Sequence, residues 1–223
     1  MQTKQTQRTR QLVILAMLCA ISYVLTYLSS TFFPPIGLPF LKFDLKDVVI
    51  TIGGFLFGPL SAFIVSFVVS LLEMVTFSGT GPIGMLMNVL STCAFCCIAA
   101  FIYKKKHTLS GAVIGLVVGA ILMTAAMLLW NYLITPLYEG VPREAIAKML
   151  VPIFLPFNLL KAGLSSALTL LLYKPVVTAL RKANLVTEGE HTERGKFSWG
   201  AALLGLAILA TVVLLALVMN GVI

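Results

Sequence analysis

Two polar side chains stand in an otherwise apolar stretch in the last third of the chain, where burying an amide or a charge is costly. Asn158 and Lys161 are three residues apart, so on a helix both would project from the same face. Counted from Pro152, Lys161 would lie about 13 Å along such a helix, too deep to reach water easily. We therefore expect the Lys161 ammonium either to line a cavity or to pair with a buried acid.

The candidate acid is Glu73, which stands in another apolar stretch. An ion pair between Glu73 and Lys161 is a structural alternative to a binding role for Lys161, because buried ion pairs also occur without a function. The sequence leaves both interpretations open.

Asn131 lies near the end of a third apolar stretch. Its amide supplies a donor and an acceptor, which suits the edge of a flat heterocycle, although a hydrogen bond between helices is an alternative. Four aromatic residues lie close to these polar groups in the sequence: Phe40, Phe43, Trp130 and Phe157. Together they predict a mostly apolar pocket with a few convergent polar groups, as is typical of small-molecule sites.

The elements that must position these side chains are hydrophobic helices. Hydrophobic residues make up 59% of the chain and charged residues 11%, against about 45–50% and about 25% in soluble domains. The formal charge of +8 comes from basic residues in short clusters between long apolar runs, which does not suit a nucleic-acid partner. The composition excludes a soluble enzyme, a disordered tail and a disulfide scaffold, and predicts an all-α integral membrane protein.

The apolar runs predict seven helices, over residues 12–28, 48–57, 60–77, 83–103, 109–134, 152–173 and 197–223. The second would be about 15 Å long and could span only part of a roughly 30 Å bilayer core. Prolines make residues 29–40 a loop, and residues 135–150 are predicted as a partly amphipathic loop. We divide the chain into a six-helix membrane domain (1–183), a polar cytoplasmic linker (184–196) and an additional transmembrane helix (197–223).

The distribution of Lys and Arg predicts that the N-terminus is cytoplasmic. With that orientation, eleven of the sixteen basic residues fall in cytoplasmic segments and four in outer loops, and Lys161 lies within a helix. The excess of positive charge then reflects topology and anionic lipid.

The sequence shows no catalytic apparatus. The G-x-G-x-x-G pattern of residues 79–84 joins two membrane helices instead of a strand and a helix, so it does not indicate a nucleotide site. Cys93 and Cys96 have the spacing of metal ligands, but His107 and His191 lie in polar segments elsewhere, and we expect no metal. We therefore predict that the protein is not an enzyme.

Ala16 and Ala20 place two small side chains one turn apart on the first helix, a pattern that allows close approach of another helix. That helix could belong to this chain or to a separate membrane subunit.

These features resemble the substrate-binding S components of energy-coupling factor (ECF) vitamin transporters. The shared features are about six helices, a broken second helix, a proline-rich first outer loop and the Ala16-x-x-x-Ala20 face. The ordered set of Asn131, Asn158 and Lys161 resembles the riboflavin-specific branch of that family. The seventh helix is a departure, since the family usually has six.

The resemblance implies riboflavin as transported substrate, with no resident cofactor. Asn131 would face the pyrimidine-like edge of the flavin, and Asn158 and Lys161 the ribityl hydroxyls. The candidate substrate-binding set also includes four further residues, Leu41, Phe40 and Phe43 in the first outer loop and Glu73 on the third helix. The partners implied are a transmembrane coupling subunit, docked on Ala16 and Ala20, and two ATP-binding subunits. The implied location of this chain is the cell membrane.

Three alternatives stay open at this point. The same subunit type could bind another vitamin or FMN, in which case Lys161 would meet a phosphate. A membrane enzyme or electron carrier would need Glu73 and Lys161 as an acid–base pair. A purely structural assembly protein would gain no stability from a ligand.

Overall fold

The chain is mostly helical in the parts described by the computed structural model, which are residues 4–32, 38, 41–183 and 199–219. No strand occurs among these residues, as the apolar runs predict. Ten α-helices follow one another: α1 Lys4–Phe32, α2 Lys46–Phe57, α3 Pro59–Thr76, α4 Gly81–Thr92, α5 Ile98–Lys105, α6 Leu109–Leu133, α7 Thr135–Glu139, α8 Arg143–Met149, α9 Leu155–Lys182 and α10 Trp199–Met219.

Within the described ranges, five helical segments are long and apolar enough to cross a membrane, and α2 is not one of them. The five are Arg8–Phe32, Pro59–Thr76, Gly81–Lys105, Leu109–Leu133 and Arg143–Leu180. The protein is therefore a multi-pass membrane protein, in agreement with the composition.

The short helix α2 enters the bundle and turns back at Gly58. Its 12 residues measure about 18 Å, so α2 reaches only part of the way across a bilayer. Gly58 has a φ of 92°, a conformation that favours glycine, and Pro59 then begins α3. A Cβ at Gly54 would lie 2.9 Å from that of Ala100, so α2 packs closely against α5. The predicted break at residues 58–59 is confirmed.

Two π-helical turns interrupt the long segments. One, Cys93–Cys97, joins α4 to α5 within a single membrane span, and the other, Leu150–Phe154, joins α8 to α9. The first turn lies beside α6, where a Cβ at Gly119 would lie 2.7 Å from the Phe95 carbonyl oxygen. Glycine therefore allows α6 to approach the widened turn.

The prediction of a loop over residues 135–150 is wrong, because most of this segment forms α7 and α8. Its charged residues lie on the exposed side, whereas Ile146 is buried against Phe154 and Leu160. The helices α1 and α9 also extend beyond their predicted ends, to Phe32 and Lys182. In the last turn of α1, Ser29 and Thr31 donate hydrogen bonds to carbonyl groups one turn earlier, so these polar residues do not end the helix.

The predicted seventh helix is present as α10, which packs along α9. A Cβ at Gly205 would lie 2.9 Å from Leu171 and 3.1 Å from the Ala167 carbonyl oxygen, so the two helices are in close contact. Residues 184–196 lie outside the described residues. The division into a domain, a linker and an additional helix stays a prediction.

Candidate functional site

Five charged side chains are gathered around the first turn of α2, in the interior of the bundle. They are Asp44, Lys46, Asp47, Glu73 and Lys161. Helix α2 packs against both α3 and α9, and so its first turn lies within reach of Glu73 on α3 and Lys161 on α9. The N-terminus of α2 also carries a partial positive charge that favours the adjacent carboxylates.

Lys46 and Glu73 form one half of this ion cluster. The Lys46 ammonium lies 2.7 Å and 2.9 Å from the two Glu73 oxygens. Asn88 on α4 donates a hydrogen bond of 3.0 Å to Glu73 Oε2. Both oxygens of Glu73 are thus occupied.

Lys161 forms the other half, and its partners are aspartates. Its Nζ donates to Asp44 Oδ2 at 2.9 Å and lies 3.6 Å from Asp47 Oδ2. Thr92, next to the first π-helical turn, donates to Asp47 Oδ1 at 2.7 Å. A direct pair between Glu73 and Lys161 is therefore not formed, because Lys46 already neutralises Glu73.

The charge state of Asp44 follows from its neighbours. Asp44 precedes α2 and lies outside the five long segments. Burial opposes its ionisation, but the Lys161 and Lys46 ammonium groups outweigh this effect and lower the pKa of Asp44 below its ordinary value. At neutral pH, Asp44 is a carboxylate in contact with an ammonium.

A cavity of about 400 Å³ adjoins the ion cluster. It lies between the ends of α1 and α3, the start of α4, residues 42–44 and α7, and its wall includes Phe43, Asp44, Glu73 and Asn88. The volume falls within the range of about 300–1,000 Å³ that is usual for small-molecule sites. The cavity can therefore hold a ligand that meets aromatic and charged groups together.

The C-terminal end of α6 borders a second, smaller cavity of about 20 Å³. Trp130 and Thr135 line it together with Thr80, Met87 and Tyr138, and these last three residues also line the larger cavity. The two spaces are thus separated by shared side chains.

Comparison with known proteins decides the family. The profile of the family described as ECF transporter, substrate-specific component, matches residues 10–173. The chain belongs to this family. As the sequence predicted, it is a transporter component and not an enzyme.

Several members of the family are similar over almost their whole length. The riboflavin transporter RibU of Staphylococcus aureus is 32% identical over 183 residues, covering 79% of this chain and 95% of that protein. The riboflavin transporter FmnP of Bacillus subtilis is 30% identical over 192 residues, covering 80% and 99%. A solved structure of the S component of a bacterial ECF transporter has a TM-score of 0.66 and 31% identity, covering 78% of this chain and 99% of that one.

Of the predicted binding residues in this S component, Phe43 and Glu73 line the larger cavity directly. Lys161 is joined to the cavity wall through Asp44. Phe43 stacks on Phe157 with ring centroids 5.3 Å apart, so the segment before α2 is held against α9.

Asn131 and Asn158 are buried and make hydrogen bonds to residues four positions away in the chain. The Asn131 amide donates to the Met127 carbonyl at 2.7 Å, and its oxygen accepts from Thr135 at 2.9 Å. The Asn158 amide donates to the Phe154 carbonyl, also at 2.7 Å. Neither asparagine is among the described residues that line the 400 Å³ cavity.

Leu41 is buried, and its N–H donates to the Leu38 carbonyl at 2.9 Å. Its side chain packs in a cluster with Phe43, Phe157 and Leu160. Phe40 lies outside the described residues.

The sequence missed three charged members of the ion cluster, Asp44, Lys46 and Asp47. A signal was present, because the run Lys-Phe-Asp-Leu-Lys-Asp at residues 42–47 places opposite charges just before an apolar helix. Lys42 and Lys46 were counted only as outer-loop charges, yet Lys46 is fully buried and only Lys42 is exposed.

Two other predicted features can be placed. Ala16 and Ala20 are both exposed on α1, whereas the neighbouring Leu15 and Leu18 are buried, so the small-residue face is directed out of the bundle. Among the described residues no group of three His, Cys, Asp or Glu side chains is arranged to hold a metal ion. Cys96 accepts a hydrogen bond of 3.1 Å from Thr51, which links α2 to the first π-helical turn.

Proposed function

We propose that this S component binds riboflavin and is the substrate-binding subunit of an ECF-type importer. The observation that carries the proposal is the 400 Å³ cavity beside the ion cluster, in a chain that aligns with 95–99% of two proteins named as riboflavin transporters. An uncharged flavin needs apolar contact for its ring and hydrogen-bond partners for its imide and hydroxyl groups, and the cavity wall offers both kinds of surface.

The roles of the individual residues are part of this proposal. Asn131 binds the pyrimidine-like edge of the ring, and Asn158 and Lys161 bind the ribityl chain. None of these three residues is among the described residues that line the 400 Å³ cavity, so the proposal requires the ligand to enter beyond the present cavity wall. Each asparagine amide already donates to a carbonyl one turn earlier, and this bond fixes the side-chain rotamer. Thr135 must release the Asn131 oxygen for that atom to accept from a ligand.

The remaining candidates form the cover and the wall. The ligand is covered from the outer side by Phe40, Leu41 and Phe43, which follow the proline-rich segment in the sequence. The packing of Leu41 and Phe43 against Phe157 supports this role. Glu73 shapes the wall and holds Lys46, so that its charge is compensated before any ligand arrives.

The energy for transport comes from partner subunits. The chain carries no P-loop lysine motif, and so we propose that a transmembrane coupling subunit and two ATP-binding subunits act with it. The exposed Ala16 and Ala20 face is the docking surface for the coupling subunit, since small side chains let a second helix approach closely. The subunit lies in the cell membrane with a cytoplasmic N-terminus, as the distribution of basic residues favours.

The proposal is tested by purifying the full chain in detergent and recording its visible absorption. A flavin retained from the host makes the protein yellow, and flavin depleted by washing is restored by titration with riboflavin, followed by quenching of flavin fluorescence. Thiamine and biotin, tested as competitors, should leave the titration unchanged. A folded, monodisperse protein that neither copurifies with nor quenches riboflavin would contradict the proposal.

A further inference from the structure

Asp44 stands at the boundary between the ion cluster and the cavity. Its Oδ2 accepts the Lys161 bond at 2.9 Å, and its Oδ1 is buried without a hydrogen-bond partner among the described residues. The side chain is 13% exposed and forms part of the cavity wall. A buried acceptor without a partner is unfavourable, and a donor that arrives from the cavity would remove this cost.

We propose that Asp44 is a specificity-determining residue that accepts a hydrogen bond from a hydroxyl of the ribityl chain, and that its charge selects riboflavin over the phosphate ester FMN. This inference rests on the proposed function. It assigns a direct ligand contact to Asp44, a residue that the sequence pattern did not single out.

The other charged groups near the cavity are less suited to this contact. Both oxygens of Glu73 are taken by Lys46 and Asn88. The Lys161 ammonium, which bonds to Asp44 and lies next to Asp47, can only donate a hydrogen bond and so cannot accept one from a hydroxyl. Rotation about the last torsion of an aspartate is soft, and a small turn presents either oxygen of Asp44 to a donor in the cavity.

The charge balance of the cavity disfavours a phosphate. Three acidic residues line it, Asp44, Glu73 and Glu139, against a single lysine among the described lining residues, the exposed Lys42. With Asp47, Lys46 and Lys161 behind the wall included, four acidic groups face three lysines, so the surroundings keep a net negative charge. A phosphate monoester carries a charge of about −1.5 to −2 at pH 7 and would be repelled by that net charge. A hydroxyl group, in contrast, donates to a carboxylate.

The contact is tested by comparing three flavins on the purified full chain: riboflavin, FMN and lumiflavin, which has the same ring but no ribityl chain. For Asp44→Asn we expect the Kd for riboflavin to rise by about tenfold or more, as for the loss of a hydrogen bond to a charged group. The Kd for lumiflavin should change by less than about threefold, and the ratio of the FMN Kd to the riboflavin Kd should fall by about threefold or more.

Two matched variants separate this contact from a merely structural effect. Asp47→Asn removes the same charge from beside Lys161, but Asp47 does not line the cavity, and so it should change the three Kd values by one common factor. Glu144→Gln removes a charge at an exposed position of α8 that does not line the cavity and should leave the three Kd values almost unchanged.

If Asp44→Asn does not fold, Asp44→Glu keeps the charge and displaces the carboxylate by one methylene. The Asp44→Glu variant should bind riboflavin more weakly than the wild type and still bind it more tightly than FMN. An equal loss for all three flavins in the folded variants, or an unchanged riboflavin Kd, would overturn the inference. Absence of riboflavin binding to the wild type would instead refute the proposed function.

Discussion

Lys46 and Glu73 form a buried ion pair between the first turn of α2 and the last turns of α3. The ammonium is 2.7 Å from Glu73 Oε1, and the side chains are 1% and 4% exposed. The contact joins the two arms of the hairpin that Gly58 reverses, close to the cavity wall. It therefore fixes the position at which α2 begins.

Removing one partner of this pair should destabilise the protein strongly, because an uncompensated charge stays buried. For Lys46→Met or Glu73→Gln we expect a loss of about 3–5 kcal/mol. Thermal unfolding in detergent without ligand measures the effect. The double variant Lys46→Met with Glu73→Met removes both charges and should recover most of the lost stability, and a double variant less stable than either single one would contradict this account.

Lys161→Met should weaken riboflavin binding by about tenfold or more, since it removes a buried charged hydrogen bond and leaves the two aspartates unpaired. Lys161→Arg keeps the charge and a donor and should bind more tightly than Lys161→Met. Quenching of flavin fluorescence measures both Kd values, with the folded fraction checked by size-exclusion chromatography. Equal wild-type affinity in the two variants would show that Lys161 has no part in binding.

Large side chains on the α1 face should block assembly without affecting the ligand site. We expect Ala16→Trp with Ala20→Trp to abolish riboflavin uptake in cells that contain the partner subunits, while the Kd of the purified variant stays within about twofold of wild type. Ile121→Trp with Leu129→Trp is the control, because these α6 residues are also exposed on the bundle surface, each 60%. Uptake that survives in the α1 variant would assign the docking face elsewhere.

The contact between α10 and α9 should contribute to stability but not to affinity. Gly205→Leu places a side chain where even a Cβ lies 2.9 Å from Leu171, so the unfolding temperature should fall because the helices must separate. Ala207→Leu adds a similar volume at an exposed position of α10 and should leave the unfolding temperature unchanged. A riboflavin Kd that rose with Gly205→Leu would show that α10 supports the site itself.

The sequence by itself determined the class of protein and the positions of most helices, because long apolar runs have few alternatives to helices in a bilayer. The residues at 58–59 ended α2 by local backbone chemistry alone, and the spacing of Asn158 and Lys161 placed them on one helix correctly. Local spacing also placed Ala16 and Ala20 on one face of α1, but only the packed bundle showed that this face is exposed.

Only the tertiary structure decided which charges meet. Lys161 pairs with Asp44 across 117 positions of sequence, and Lys46 takes Glu73, because the short α2 packs between α3 and α9 and carries its own acids and base into the bundle. In the sequence Asp44, Lys46 and Asp47 stand next to a predicted loop, where charged side chains are usually exposed to solvent. Burial is a property of the packed helices, and so the electrostatic partners that it selects could not be obtained from the order of residues.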